Sequence, residues 1–486
     1  MYCDRMRCVP LEGRIMSADE AAGLIQSGMT LGMSGFSTGG PKQISPALAR
    51  LGTARGLTLI QGAGLGGLGA LAESGIVSRY AAFQWCPEMR AEINAGRVDF
   101  TDLHLGQLSD KLRQGVFGKL DFAVIECTGI TEDGGIIPSV SLGISNVLLE
   151  CADRVLLELN LAVPPALEGI HDICKNDFQP LGDILERRGE PVFRCPLEKI
   201  AGIVITEESE PKIDFRDTNA VYQGIAAQVL RLLNRDISEN RLPRAFTLQA
   251  GVGGVANAVL QGLSEGGYKG LRMFTEVLAD SALNFILSGV IAEASTTTLD
   301  LSPRGLETFF ANTDFFKEHI VLRPLELSNG VSQITAMGLV AMNTALEADI
   351  YGNVNSTHAI GSRMLNGIGG SNDFCRSARL SIFITPSTAK NGAISSIVPM
   401  VSHVDSTEHD VDVIATEWGY ADLRGKSPKA RVREIIDNCA HPDYRTQLWD
   451  YYTGALSLCG PCQTPHDLSR AFSFHQRYLE TGSMKL

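Results

Sequence analysis

No apolar run in this sequence reaches the roughly 18 residues that a membrane-crossing helix needs, so no spanning segment is expected. Positive charge is also scarce: 42 Lys and Arg face 55 Asp and Glu, for a formal net charge of −13. That balance argues against a nucleic-acid binder or a protein of acidic membrane surfaces, which normally carries a basic face. It leaves small anionic ligands open, because a few backbone N–H groups and one Lys can hold a phosphate locally. No His or Cys set has the spacing of a zinc site, and no metal is expected. The segment 1–10 lacks the apolar core of a secretory signal; Arg5 and Arg7 hint at an organelle presequence, against which Asp4 and Glu12 count. The expected location is cytoplasmic, with a mitochondrial matrix as the minor alternative.

The 486 residues give room for two or more domains, and 44% hydrophobic with 20% charged residues is ordinary for a globular protein. The 11 Cys are odd in number and scattered, which fits an enzyme with reduced thiols better than a disulfide framework. Cys459-Gly-Pro-Cys462 spells a thioredoxin-type motif. Redox use needs a preceding strand and a helix opening at the motif, whereas 454–463 reads as a turn-rich connection, so the match is taken as coincidence.

Strand-like runs alternate with glycine loops and helix-like runs, which predicts an α/β fold with mostly parallel sheets. Ser17 to Gln26 has a capping-box start and an apolar helical stripe. A short strand over Met29–Leu31 is expected to break at the glycine-rich loop Gly32–Lys42, which can bring N–H groups close to an anion or an acyl chain. Leu57–Ile60 runs into Gly62-Ala-Gly-Leu-Gly-Gly67. This matches the dinucleotide fingerprint in form only: no clear amphipathic helix opens there, and no acidic residue ends a second strand about twenty residues on. Further strands are expected at 122–126, 155–159, 200–205, 245–249, 271–275, 380–385 and 411–416, and a long helix from Ser332 to Ala348. The charged segment 207–217, which holds Pro211, is the candidate hinge between domains 1–215 and 216–486.

Leu271-Arg-Met-Phe-Thr-Glu276-Val-Leu-Ala-Asp280 places Glu276 near the exit of a strand and before a helix at 281–287, with Asp280 or Ser281 as its N-cap. Ligand chemistry in open α/β sheets collects at such strand ends. A carboxylate there can be a nucleophile, a base, or only a cap or ion-pair partner. Five longer motifs bear on the choice: Phe274-Thr-Glu-Val-Leu278, Asn353-Val-Asn-Ser-Thr-His358, Asn366-Gly-Ile-Gly-Gly-Ser371, Val398-Pro-Met-Val-Ser-His-Val-Asp405 and Thr416-Glu-Trp-Gly-Tyr-Ala-Asp-Leu-Arg-Gly425. With them the chain resembles the acetyl-CoA hydrolase/transferase family of class I CoA-transferases, most closely the succinate CoA-transferases that use acetyl-CoA or propionyl-CoA. The resemblance runs from Gly32 to the Arg470 region and is loosest in about the first fifteen residues and around Cys459–Thr464.

The resemblance implies two open, mostly parallel α/β domains with the active site in the crevice between them, the second domain carrying the catalytic glutamate. It also implies a homodimer, no tightly bound cofactor, and coenzyme A, acyl-CoA and carboxylic acids as substrates. Glu276 matches the family's nucleophile. Gly251, Val252, Gly253, Gly254 and Val255 match its CoA-binding glycine loop, and Asn366, Gly370 and Lys390 match further CoA contacts. The Gly370 N–H and the Asn329 carboxamide match donors to the glutamyl carbonyl, and Glu417 matches an acid beside the carboxylate pocket. The implied reaction moves CoA between acetyl- or propionyl-CoA and a carboxylate such as succinate through a glutamyl-CoA thioester on Glu276. The alternative is hydrolysis of acetyl-CoA through the same intermediate.

The residue types suit that chemistry. Exchange of CoA between two acids is nearly thermoneutral and needs no ATP, but a carboxylate is a poor acceptor of a thiolate; a protein carboxylate divides the exchange into covalent steps. Each step passes through an oxyanion, for which a fixed N–H donor is worth about 3–4 kcal/mol in other acyl-transfer enzymes. A glycine such as Gly370 lets N–H groups approach closely, Lys390 can neutralise a CoA phosphate or an acceptor carboxylate, and binding of the nucleotide arm can drive anhydride formation. Structural readings compete: Gly251–Gly254 as a tight turn, Asn329 as a helix N-cap, Lys390 as a solvated charge, Glu417 as an ion-pair partner of Arg424 or Lys426. His358 and His403 are read as structural hydrogen-bonders, because a glutamate is ionised at neutral pH without help from a base. Readings from other classes are a nicotinamide dehydrogenase built on Gly62–Gly67 and a non-catalytic CoA-binding sensor.

Overall fold

The computed structural model describes residues 2–64, 67–210, 219–251 and 253–486. The strands used below are β1 (Thr30–Phe36), β2 (Leu57–Ala63), β3 (Val77–Phe83), β4 (Asp99–Asp102), β5 (Phe122–Ile130), β6 (Ile136–Pro138), β7 (Arg154–Asn160) and β8 (Ile200–Thr206). They continue with β9 (Thr247–Ala250), β10 (Leu271–Phe274), β11 (Val277–Ala279), β12 (Ile291–Thr296), β13 (Thr298–Asp300), β14 (Ile320–Leu322) and β15 (Val340–Thr344). The chain forms two α/β units. The first is Met1–Asp214 with Met273–Ile286 and Ala292–Ala336; the second is Phe215–Arg272 with Leu287–Ile291 and Met337–Leu486. The units are therefore interleaved rather than consecutive halves, and Glu276 falls in the first, where β11 pairs with β13 and β12 with β14. Of the candidate hinge, 211–217 lies outside the described residues.

The main sheet of the first unit has the order β4-β3-β2-β1-β5-β7-β8, all parallel, with β6 antiparallel to β5. β2 and β5 are buried at every position, as a parallel sheet covered on both faces requires. The chain order reverses between β1 and β5, where such sheets leave a crevice at their carboxyl ends. Near that end lies a buried charge cluster. Lys42 Nζ pairs with Glu126 and, at 2.9 Å, with Glu210, while Glu158 accepts the backbone N–H groups of Lys42, Gln43 and Ile44 at the start of the helix Ile44–Leu51. The capping box at Ser17 forms, with Glu20 N donating to Ser17 Oγ at 3.2 Å and Ser17 N donating to Glu20 at 2.8 Å.

Gly32 and the expected helix 332–348 differ from expectation. Gly32 does not break β1; the strand continues, fully buried, to Phe36. A Cβ at Gly32 would run into Leu148 of the helix Ser145–Cys151, so this glycine serves close packing rather than a turn. The predicted helix 332–348 is helical only over Val331–Met337. Gly338, at φ +61°, ends it, and Val340–Thr344 becomes β15, parallel to β9 on one side and to the strand Leu380–Ile384 on the other. Pairing on both edges outweighs the local helical pattern.

The second unit continues with Val413–Thr416, parallel to Leu380–Ile384, and closes on the antiparallel strand Gly419–Asp422. Its core packs Val354, Phe383, Ile414, Ile435 and Tyr444, all without solvent exposure. A second charge cluster lies in this unit: Arg424 pairs with Asp236 at 2.7 Å and with Asp422 at 2.9 Å, and Arg235 joins both acids.

Candidate active site around Glu276

Glu276 occupies a bend between β10 and β11, and the helix Asp280–Leu287 follows; the short β11 is the one addition to the predicted strand-then-helix order. Asp280 is the first residue of that helix, and its carboxylate accepts from Ser302 N at 2.9 Å. A matching bend at Thr297 separates β12 from β13. The Glu276 carbonyl accepts from Thr296 Oγ1 at 2.8 Å, Thr297 N at 3.1 Å and Thr298 N at 3.2 Å. All three threonines are without solvent exposure.

The carboxylate is held from another side. Asn329 Nδ2 donates to Glu276 Oε1 at 2.6 Å. Asn329 is fully buried and follows the helix Leu325–Ser328 as its C-cap, not an N-cap, with its own N–H donating to Leu325 O at 2.9 Å. That helix is anchored by Glu326, which takes both guanidinium nitrogens of Arg113 at 2.8 and 2.9 Å and Asn146 Nδ2 at 2.7 Å. Leu325 N also donates to Gly143 O at 2.8 Å, while Leu142 N donates to Thr297 O at 2.9 Å and Gly143 N to Thr297 Oγ1 at 3.1 Å. A closed circuit results: Glu276 carbonyl, Thr297, Leu142–Gly143, Leu325–Asn329, Glu276 carboxylate. Backbone and side chain of one residue are thereby fixed relative to each other.

The remaining sequence-predicted residues lie in the second unit. The glycine loop joins β9 to the helix Gly254–Glu265; Val252 lies outside the described residues. Gly253 has φ +134°, a conformation that favours glycine, and stands at the helix N-cap. Among the described residues, chain neighbours aside, no atom lies within 4 Å of where a Cβ would sit on Gly251 or Gly253. Gly254 and Val255 form the buried first turn of a helix whose first N–H groups have no intrahelical partners; such a start can take a phosphate. Gly370 is buried at the N-cap of Ser371–Ser377 with φ −90°, and its neighbour Gly369, at φ +59°, takes the conformation that needs glycine. Asn366 Nδ2 donates to Ser356 O at 3.1 Å and Gly367 O at 2.9 Å.

Lys390 is exposed in the turn between the strands Thr388–Ala389 and Ile394–Ser395, with φ +51°. Asn391 and Gly392 are also left-handed, and the turn is held from below by Tyr444 OH donating to Gly392 O at 2.7 Å. The Glu417 carboxylate accepts from Ser387 N at 2.9 Å and Ser387 Oγ at 2.6 Å. The ion pair considered for Glu417 does not form: Arg424 goes to Asp236 and Asp422, and Lys426 lies 3.6 Å from Glu434. The His358 and His403 rings lie 4.0 Å apart between centroids, tilted by 33°. His403 Nε2 lies 3.3 Å from Asp405, His358 Nδ1 lies 2.7 Å from Thr357 Oγ1, and burial together with His403 lowers the His358 pKa.

The sequence matches the acetyl-CoA hydrolase/transferase N-terminal domain over residues 1–187 and the C-terminal domain of the same family over 305–452. The succinyl-CoA:acetate CoA-transferase of Clostridium kluyveri is 43% identical over 99% of this chain and 92% of that protein. The chain belongs to the acetyl-CoA hydrolase/transferase family. The acetyl-CoA hydrolase of Schizosaccharomyces pombe is 39% identical over 95% of this chain and 94% of its own length. In fold the chain is similar to RipA from Yersinia pestis, with a TM-score of 0.72 at 23% identity over 94% of this chain and 98% of that one.

As a member of the acetyl-CoA hydrolase/transferase family the protein is an enzyme of the CoA-transferase type with acyl-CoA as substrate. The dinucleotide-like stretch lies within the matched N-terminal family domain and lacks the acid of the fingerprint. Gly62 and Ala63 belong to β2, residues 65 and 66 lie outside the described residues, and Gln84 rather than an acid follows β3. A helix, Gly67–Glu73, does open after the loop, against expectation, because Leu68, Leu71 and Ala72 share a buried face. The Cys459–Cys462 motif sits at the end of the helix Pro442–Cys459, not at the start of one, so residues 454–459 are helical rather than turn. All 11 cysteines are free thiols. Among the described residues no group of three His, Cys, Asp or Glu is placed to hold a metal, and no helix is long and apolar enough to cross a membrane.

Proposed function

We propose that this enzyme moves CoA between acetyl- or propionyl-CoA and a carboxylate such as succinate through a thioester on Glu276. The observation that carries the reading is the 2.6 Å hydrogen bond from the buried Asn329 amide to Glu276 Oε1. Oε2 attacks the acyl carbonyl and expels CoA thiolate, giving an acyl-glutamyl anhydride. The thiolate attacks Cδ of Glu276 and expels the first acid, leaving glutamyl-CoA. The acceptor carboxylate attacks the same carbon and releases the thiolate, which then attacks the acceptor's acyl carbon and frees Glu276. In every attack on Cδ the negative charge gathers on Oε1, where the Asn329 donor already points.

The roles proposed for the other residues follow the family pattern. The Gly370 N–H is a second donor to the glutamyl carbonyl. Gly251–Val255, Asn366 and Lys390 hold the CoA nucleotide arm, and Glu417 borders the carboxylate site. The reading includes a homodimer in the cytoplasm, tested by light scattering and cell fractionation.

Intact mass after acetyl-CoA exposure tests the mechanism. A CoA adduct that borohydride reduces at residue 276, and that Glu276→Ala lacks, is expected; its absence overturns the reading. The Schizosaccharomyces pombe relative, named a hydrolase, supports water as a second acceptor. Thioester loss that does not depend on added succinate or acetate favours that second reading.

A further inference from the structure

The proposed nucleophile is aimed by a residue that does not touch its carboxylate. We infer that Thr296 is a positioning residue for Glu276, and that its hydroxyl, not its bulk, does the positioning; this rests on the Glu276 reading above. Thr296 ends β12 without solvent exposure, where a valine would match its shape and suit a strand equally well. A hydroxyl in such a place is costly unless it is hydrogen-bonded. Here it donates to the Glu276 carbonyl at 2.8 Å, with Thr298 O at 3.1 Å as a shared acceptor.

A carbonyl ordinarily has two lone pairs to offer, yet three donors converge on that of Glu276. Of these three, Thr296 supplies the shortest, and it comes from a side chain while the other two are backbone N–H groups. Pinning this carbonyl fixes the peptide plane that follows Glu276, and with it the direction of the Cα–Cβ bond. Asn329 fixes the far end of the side chain. Thr296 is in turn immobilised from behind. Arg323 N donates to Thr296 O at 2.8 Å, and the Arg323 guanidinium reaches Ser295 Oγ at 3.1 Å and Asp172 at 2.7 Å, with Arg323 and Asp172 both fully buried. Attack on a thioester needs the reacting atoms about 3–3.5 Å apart and aligned, so a small turn of the Glu276 bend slows the chemistry without weakening acyl-CoA binding.

The test compares Thr296→Val with Thr296→Ser in the full-length enzyme. The readouts are steady-state transfer from acetyl-CoA to succinate, the rate of CoA-adduct formation by rapid-quench mass spectrometry, and Tm. Thr296→Val is expected to lower kcat and the adduct rate about tenfold, the kinetic equivalent of one hydrogen bond, with KM for acetyl-CoA within about twofold. Thr296→Ser is expected to restore most of the loss. A Thr296→Val enzyme with wild-type kcat and adduct rate, or a Thr296→Ser enzyme as slow as Thr296→Val, overturns the proposal. If Thr296→Val does not fold, Thr296→Ala against Thr296→Ser makes the same comparison: a gap in kcat supports the hydroxyl, equal kcat overturns it. Wild-type enzyme that forms no adduct at Glu276 overturns the nucleophile reading and this one together. Adduct formation at equal rates in wild type and Thr296→Val overturns this one alone.

Discussion

Glu276 and the glycines Gly251 and Gly253 both follow the ends of strands, and their surroundings are built in opposite ways. Around Glu276 the carbonyl has three donors, the carboxylate has the Asn329 amide, and both lead back to Leu142–Gly143. Around Gly251 and Gly253, among the described residues and chain neighbours aside, nothing stands within 4 Å of a would-be Cβ. On the proposed function, a group that reacts in one geometry is crowded with fixed partners. On the same proposal, the glycines that accept the nucleotide arm are kept bare. Changes in the first region should therefore fall on kcat, and changes in the second on KM.

The largest expected effect is that of Glu276→Ala: kcat down by about 10⁴-fold or more, as for the loss of other covalent nucleophiles, with acyl-CoA binding by calorimetry within a few-fold of wild type. Binding lost in step with turnover would erase the contrast. Asn329→Ala should lower kcat by about 10²–10³-fold at little-changed KM, the cost of one oxyanion donor. Gly253→Ala tests the other side. Its φ of +134° strains any other residue by about 1–3 kcal/mol, which the loop relieves by moving, so KM for acyl-CoA should rise about tenfold with kcat nearly preserved. Lys390→Ala should raise KM only a few-fold, and the difference should vanish in about 1 M salt, because an exposed charge acts through screened solvent.

The smallest effect concerns the two charge clusters. Burial pushes the Glu126 carboxyl up from 4.5 to about 7; Lys42 opposes this, and Glu210 and Glu158 add to it. Because the folded value lies above the unfolded one, Glu126 contributes stability that is complete below 4.5 and lost as pH rises through about 7. In the second unit burial acts on Asp422 and Asp236 in the same sense, but hydrogen bonds from Arg424 and Arg235 outweigh it and hold both acids below the ordinary 3.8. Their contribution is complete above 3.8 and lost as pH falls through the depressed values. Tm should therefore drop by a few degrees between about pH 5 and 8, and Glu126→Gln should flatten that slope.

The sequence made strands legible where an apolar run is bounded by turn residues: β2, β5, β7, β8 and Leu380–Ile384 all fall on predicted runs. The strand exit at Glu276 was legible for the same reason. Gly32 was not, because its meaning depends on Leu148, far along the chain. Nor was β15, whose identity comes from pairing on both edges. The circuit around Glu276 left the least trace. It runs largely through backbone N–H and carbonyl groups of Leu142, Gly143, Thr297 and Leu325, and any residue type supplies those. Only the side chains of Glu276, Asn329 and the threonines mark it, and a run of three threonines reads simply as strand.

The interleaved path of the chain has a consequence for synthesis. When residue 214 leaves the ribosome, the first unit still lacks everything from Met273 to Ala336 that belongs to it, including Glu276, its threonine grip and Asn329. Roughly 120 further residues must be translated, about 6–24 s at common elongation rates, before that unit can close. The proposed nucleophile is thus delivered late, and a nascent chain stalled in that interval carries most of a scaffold with none of the proposed reactive centre.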